Sequence, residues 1–281
     1  MSIPEIQYGR PSLAASRFVQ FYVQRKGCSG AQTLEIPVIA RSCALLDFEL
    51  GAMLQISSRS TGLSRLVEPA TLVGLETCVQ CRLLVRDAFE HFQIHLRPTA
   101  LKQLFGLPAP ELTNQNHAAC AVLGSRVSEL RQRLGEAHSF EHRTQLANAV
   151  IVEFSSDAYV SDPIAFATGE ILRSQGCCKI DQLAHLTGFS MRNFQRRFSE
   201  YVGISPRLYA RIVRFESVLK AKAETPNMTW MNASHQVGYH DQMHMVHDFR
   251  EFSADTPTGI FERAEQLLVP PVDFGKAACA R

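Results

Sequence analysis

One local pattern is written twice near the C-terminus, and that doubling restricts the fold more than any other feature of the 281 residues. The first copy runs Gly188-Phe189-Ser190, then Phe194, Phe198 and Pro206. The second runs Gly238-Tyr239-His240-Asp241, then Met245, Phe249 and Pro257. From Ser190 and Asp241 onward the copies hold a constant offset of 51 residues. Ser and Asp cap helices well, because a side-chain oxygen accepts a bond from an unpaired N–H of the first turn. Apolar residues four and eight positions later fall on one helix face. The preceding glycine suits a tight turn that needs positive φ. Each copy therefore predicts a short helix, a tight turn and a second helix with one buried face, the layout of a helix-turn-helix. Two such units predict two reading heads for double-stranded DNA.

Composition adds little to that reading. At 46% hydrophobic and 20% charged, the chain is ordinary for a globular protein. A net charge of +2 does not by itself advertise nucleic acid, so the weight falls on local patterning. No apolar run approaches the roughly 18 to 20 residues that cross a bilayer. The opening MSIPEIQYGRPSLAAS lacks a basic-then-apolar leader. A cytoplasmic location without membrane contact is the expectation. The eight cysteines are then expected as reduced thiols. Cys78 and Cys81 form a single CxxC with no second pair and no adjacent His, so they read as ordinary residues of a strand-rich region. Cys177 and Cys178 sit in the turn before the first motif, where redox sensing is a secondary reading.

The fold class predicted is α+β. Residues 1 to about 110 read as mainly β, from short apolar stretches at Thr33–Ile39, Ala44–Leu50, Met53–Ile56, Ala70–Leu75, Cys78–Leu84 and Phe89–Leu96. In the last, Phe92, Ile94 and Leu96 point one way and His91, Gln93 and His95 the other. A helix follows at Thr99–Phe105, and residues 120 to 160 have helical periodicity. The expected division is an N-terminal regulatory or dimerisation domain over 1–160, a linker around Ser155–Pro163, a double helix-turn-helix domain over 163–267 and a flexible tail over 268–281. In the C-terminal part, helices are expected at Asp181–Thr187, Met191–Tyr201, Pro206–Glu224, Thr229–Val237, Gln242–Phe252 and Thr256–Leu267.

With Phe194 and Phe198 in the core, the opposite face of the first reading helix carries Arg192, Gln195 and Arg196, with Arg197 on the flank. Arg chelates guanine O6/N7 and Gln pairs with adenine N6/N7, so the first three are expected base contacts. Arg197 and Ser190 are expected phosphate contacts. The bland alternative is a solvated basic face. The second reading helix offers Gln242, Met243 and His247 as base contacts, with Asp248 and Arg250 alongside; an Asp248 turned toward the backbone would repel phosphate. His235, His240, His244 and His247 invite a metal reading, but no Cys or carboxylate constellation in the sequence completes a site, so no metal and no cofactor is expected. Arg207, Arg211 and Arg214 on the long joining helix either approach phosphates or are solvated.

The stretches LAHLTGFSMRNFQRRFSEYVGISPRLYARIVRF and VGYHDQMHMVHDFREFSADTP closely resemble the DNA-binding domain of the AraC/XylS family of bacterial transcription regulators, over about residues 163 to 265. The shared features are the Gly-Phe-Ser turn, Arg-x-Phe, Gly-x-Ser-Pro, the second Gly-aromatic turn with Asp-Gln-x-His, and the later Pro. By position, Arg192, Gln195 and Arg196 align with base-facing residues of the first unit, and Gln242, Met243 and His247 with those of the second. His247 stands where a longer basic side chain is frequent, and Met245 where Phe is usual. Upstream, FQIHLRPTALKQLFGLPAPELT and AVLGSRVSELRQRLGEA are similar to a subgroup with a β-rich, cupin-like N-terminal domain. The resemblance implies a transcription activator that contacts RNA polymerase, a small-molecule effector, and a homodimer formed through the N-terminal domain. His91 and His95 lack the metal-cupin layout and are expected as pocket or surface residues. No catalytic residue is expected. Two rivals remain: a DNA-binding module fused to a metal- or thiol-dependent enzymatic or sensor domain built on Cys78, Cys81, His91 and His95, and an interaction adaptor that keeps the fold without binding DNA.

Overall fold

The computed structural model describes residues 5–30, 33–86, 88–155 and 162–264. Most of the expected linker and all of the expected 268–281 tail lie outside these residues. Among the described residues, ten strands form two antiparallel sheets. The first orders β1 (Glu5–Gly9), β2 (Val19–Cys28), β9 (Ala88–Leu96), β4 (Leu45–Glu49), β7 (Ala70–Val73) and β10 (Asn116–Ala118). The second orders β3 (Leu34–Pro37), β8 (Cys81–Val85), β5 (Gln55–Ser58) and β6 (Ser64–Leu66). Helices follow: α1 (Ala100–Phe105), α2 (Ala109–Leu112), α3 (Ala119–Leu123), α4 (Ser125–Glu136) and α5 (Phe140–Phe154). The C-terminal region is helical throughout: α6 (Pro163–Arg173), α7 (Ile180–Leu186), α8 (Met191–Val202), α9 (Pro206–Glu224), α10 (Trp230–Gln236), α11 (Gln242–Ser253) and α12 (Pro257–Ala264). The α+β expectation holds, with a β-rich N-terminal region and a helical C-terminal one.

Strand β9 shows why the first sheet has two different faces. Phe92, Ile94 and Leu96 are fully buried in a cluster with Leu130 and Leu134 of α4 and Ile151 of α5. His91, Gln93 and His95 alternate with them and are also buried, on the face that meets the second sheet. Register places Arg25 of β2 and Glu49 of β4 directly opposite His91, and Asp47 opposite Gln93. Cross-strand partners share a face, so charged groups line the space between the sheets. That polar interior explains why β2 was not expected from sequence. Its run VQFYVQRKGC buries Arg25 on the inside, which breaks the apolar alternation that marks a half-buried strand. β1, β6 and β10 were missed as well; each is short or strongly polar.

The long helix α9 is more than an amphipathic connector. Ile212, Val213, Phe215 and Val218 are at most 1% exposed, so several faces are covered at once. One apolar cluster runs from Ile36 and Val85 of the second sheet through α9 to Phe194, Phe198, Phe249 and Phe252. Residues 38–43, between β3 and β4, tie the β region to the helices. The Ala40 N–H donates to Phe252 O at 2.9 Å, and the Ser42 N–H donates to Glu216 Oε1 at 3.0 Å.

Candidate nucleic-acid interface

The first unit is built as its residues dictate. Helix α7 ends at a turn in which Gly188 adopts φ +73°. Ser190 then caps α8, its Oγ accepting from Asn193 N at 3.4 Å. Phe194 and Phe198 are fully buried, with ring centroids 5.7 Å apart, and Phe198 packs edge-on against Tyr209 of α9 at 5.6 Å. This anchor turns Arg192, Gln195 and Arg196 outward, where all three are exposed. Lys102 of α1 pairs with Glu200 of α8 at 3.6 Å, so the β-region side docks near the C-terminal end of this helix and leaves its N-terminal half uncovered. Arg196 is steadied by Asn193 Oδ1 at 3.0 Å and Glu200 Oε2 at 3.8 Å. Arg197 lies half-buried with its guanidinium 5.0 Å from the Phe189 ring centroid, which restricts its reach to one flank.

The second unit repeats the plan with different chemistry. Gly238 adopts φ +76°, and a Cβ there would lie 2.5 Å from Cys177 Sγ. Cys177 donates to Val237 O at 2.7 Å, so this cysteine packs the two turns together. Asp241 caps α11 through His244 N at 2.8 Å. That bond lowers the Asp241 pKa, helped by the neighbouring histidine. Met245, Phe249 and Phe252 are fully buried, and Gln242, Met243 and His247 are exposed. Met243 is 72% exposed, a large apolar side chain offered to solvent on the same open face as Gln242 and His247. His247 Nδ1 sits 3.8 Å from Glu251 Oε2.

Three residues beside the site, Asp248, Arg211 and Arg214, differ from a simple helical-wheel reading. Asp248 is 6% exposed and turned inward, held by Arg211 Nη2 at 2.6 Å and by the Tyr239 hydroxyl at 3.0 Å. It therefore opposes no phosphate. Arg211 also bonds Glu251 Oε2 at 2.6 Å and stacks 5.0 Å over Phe252, and Arg214 donates to Gly176 O at 2.8 Å while covering Tyr239. Of the three arginines on α9, Arg207 is the exposed one; the other two hold the units together.

Carboxylates do join the histidines. His240, Asp241 and His244 place one donor atom each within 4.8 Å of one another, as do His247, Asp248 and Glu251, and, inside the β region, Asp47, Glu49 and His91. At the first of these, Asp241 is engaged as the helix cap; at the second, Asp248 is engaged by Arg211 and Tyr239. Cys78, Cys81 and His95 enter none of these groups among the described residues. His91 and His95 are buried and line the cavity between the sheets.

Residues 183–263 match the family described as "Helix-turn-helix domain", and this part of the chain is a helix-turn-helix domain of the AraC type, the kind that DNA-binding transcription regulators carry. No curated protein sequence matches the chain. Among solved structures, ToxT from Vibrio cholerae O395 is similar at 10% identity and a TM-score of 0.48, over 92% of this chain and 97% of that one. ToxT bound to (E)-4-(8-methylnaphthalen-1-yl)but-3-enoic acid is similar at 12% identity and a TM-score of 0.46, over 92% and 98%. The AraC-like transcriptional activator CuxR shows 12% identity and a TM-score of 0.28, over 79% and 88%. Among the described residues, no helix is long and apolar enough to cross a membrane.

Proposed function

We propose that this chain is a sequence-specific DNA-binding transcription regulator that acts as an activator and reads two successive major grooves with α8 and α11. One observation carries the reading. Two helices of the same build, capped by Ser190 and Asp241 and anchored by paired apolar residues, both leave their polar N-terminal faces open to solvent. The N-terminal part of a recognition helix makes most base contacts. Arg192, Gln195 and Arg196 supply the first unit's discrimination; Gln242 pairs with adenine, Met243 lies against a thymine methyl, and His247 adds a donor. Ser190 and Arg197 position the helix on phosphate. The buried α9 joins the units rigidly, which makes the second contact intramolecular and raises affinity without new contacts. No catalytic role is assigned. RNA polymerase, a small-molecule effector and a second copy joined through residues 1–160 complete the proposed set of partners, with the effector held by the β region.

Selection of bound sequences from a random duplex pool tests this directly. The expected result is a motif with two conserved blocks about 10 base pairs apart, one helical turn of the duplex. A single block would remove the two-groove reading, and no enrichment at all would remove the DNA-binding reading. Transcription from a promoter bearing the selected site, with purified polymerase, decides the sign of regulation.

A further inference from the structure

The turn that leads into α11 gathers three metal-binding side chains to which the reading of DNA gives no task. Asp241 caps the helix with one oxygen, Oδ1, which accepts from His244 N at 2.8 Å. Its other oxygen, Oδ2, faces two imidazoles: His244 Nδ1 at 3.2 Å and His240 Nδ1 at 3.6 Å. Local sequence produces this arrangement. A residue three positions after a helix cap reaches back toward it, the geometry of a capping box, and here that residue is His244. His240 directly precedes the cap and meets the same oxygen, just after the tight turn at Gly238.

Those distances are close to what a zinc ion needs. Bonds of about 2.0 to 2.1 Å to nitrogen and oxygen in a tetrahedron put neighbouring donor atoms about 3.3 Å apart. Two edges already stand near that length, and all three donor atoms lie within 4.8 Å of one another. The His240 side chain is 91% exposed, so a turn of its ring closes the third edge without disturbing the core. Two neutral imidazoles and one carboxylate suit ions of the zinc type and not magnesium. The positive end of α11 by itself opposes a cation, and the Asp241 carboxylate offsets it. Arg211 and Arg214, which line the adjoining hollow, are engaged by Asp248, Glu251 and Gly176 O. In the other two histidine–carboxylate groups the aspartate has both oxygens in use: Asp248 is bonded by Arg211 and Tyr239, and Asp47 by Gln93 and His91. Asp241 alone caps with one oxygen and turns the second to two histidines.

We propose that His240, Asp241 and His244 bind a zinc-type divalent ion, with its remaining coordination position open to water, and that this ion strengthens the hold of α11 on DNA. The coupling rests on the reading of the chain as a DNA-binding regulator; the metal site does not. Binding turns one negative charge into a net positive one beside a helix N-terminus, where a phosphate is favoured. The open position accepts a phosphate oxygen in place of water. DNA must then raise the affinity for the ion by the same factor as the ion raises the affinity for DNA.

Titration of the full chain with Zn²⁺ against a chromophoric chelator tests the site. The eight cysteines can hold zinc elsewhere, so the site is read as the one equivalent that responds to the variants. His240→Gln, His244→Gln and Asp241→Asn are each expected to weaken that equivalent at least tenfold. His138→Gln, exposed between α4 and α5, is expected to leave it unchanged. Asn caps a helix as well as Asp does, so Asp241→Asn removes the charged ligand and keeps α11, which thermal melting checks. No zinc binding, full zinc affinity in a folded His240→Gln or Asp241→Asn, or displacement of the equivalent by an equal concentration of Mg²⁺ overturns the site. Fluorescence anisotropy of a labelled duplex, with zinc and with a chelator, tests the coupling. Zinc is expected to tighten binding at least threefold, a gain that His240→Gln abolishes. Unchanged or weaker binding with zinc overturns the coupling and leaves the site. If the chain holds zinc but no duplex in either condition, the regulator reading and the coupling fail and the metal site stands.

Discussion

The Tyr239 hydroxyl donates to Asp248 Oδ2 at 3.0 Å, across the turn of the second helix-turn-helix unit. Asp248 receives a second, charged partner in Arg211 at 2.6 Å. This acid on α11 is tolerated among apolar neighbours because both of its oxygens face inward and are paired. Tyr239→Phe removes one neutral donor and leaves the Arg211 contact. The expected cost is about 1 to 2 kcal/mol, read by chemical denaturation. DNA sequence preference should be unchanged, and a shift in preference would place Asp248 at the DNA after all.

Arg196 and Arg197 are neighbours with different expected tasks. Arg196→Ala should lose about 1 to 3 kcal/mol at the selected site and much less on random DNA. Arg197→Ala should weaken both alike and reduce the salt dependence of binding by about one phosphate contact. Competition binding at several salt concentrations separates them. Equal losses on both DNAs for Arg196→Ala would make it a backbone contact only.

Phe198 is fully buried between Phe194 and Tyr209. Phe198→Ala should destabilise the chain by about 3 to 5 kcal/mol, from lost burial and the cavity left behind. A loss under about 1 kcal/mol in denaturant unfolding would contradict the packing that turns Arg192, Gln195 and Arg196 outward.

Burial raises the Glu216 carboxyl from 4.5 to about 7, against the opposing pull of its bonds to Ser42. Between those values the folded chain keeps a proton that the unfolded chain has released. The stability this group contributes is therefore full below pH 4.5, declines as pH rises, and is gone above about pH 7. Glu216→Gln cannot ionise. The stability of the unaltered chain relative to this variant should thus fall by on the order of 3 kcal/mol between pH 4.5 and 7. A difference that stays constant with pH would mean that Glu216 is charged in the folded chain throughout.

What could be read from sequence is what local chemistry controls. Ser190, Asp241 and Pro206 mark helix starts, and the structure begins α8, α11 and α9 at or directly after them. The outward faces of α8 and α11 followed, since two apolar anchors fix the rotation of a short helix. The N-terminal region was legible where short apolar runs bounded by turn residues mark strands, as in β4, β7 and β9. β2 escaped because Arg25, buried among polar partners, looks like a surface residue until its neighbours are known.

Residue order alone thus determined the doubled motif, its caps and its exposed basic ridge, because those depend on contacts within three or four positions along the chain. Tertiary structure alone decided that Asp248 turns inward, that α9 is enclosed on several sides, and that Arg25, Arg41 and Glu216 meet around one cavity. Those outcomes depend on pairs as distant in sequence as Ser42 and Glu216, and only the packed chain brings such pairs within bonding distance.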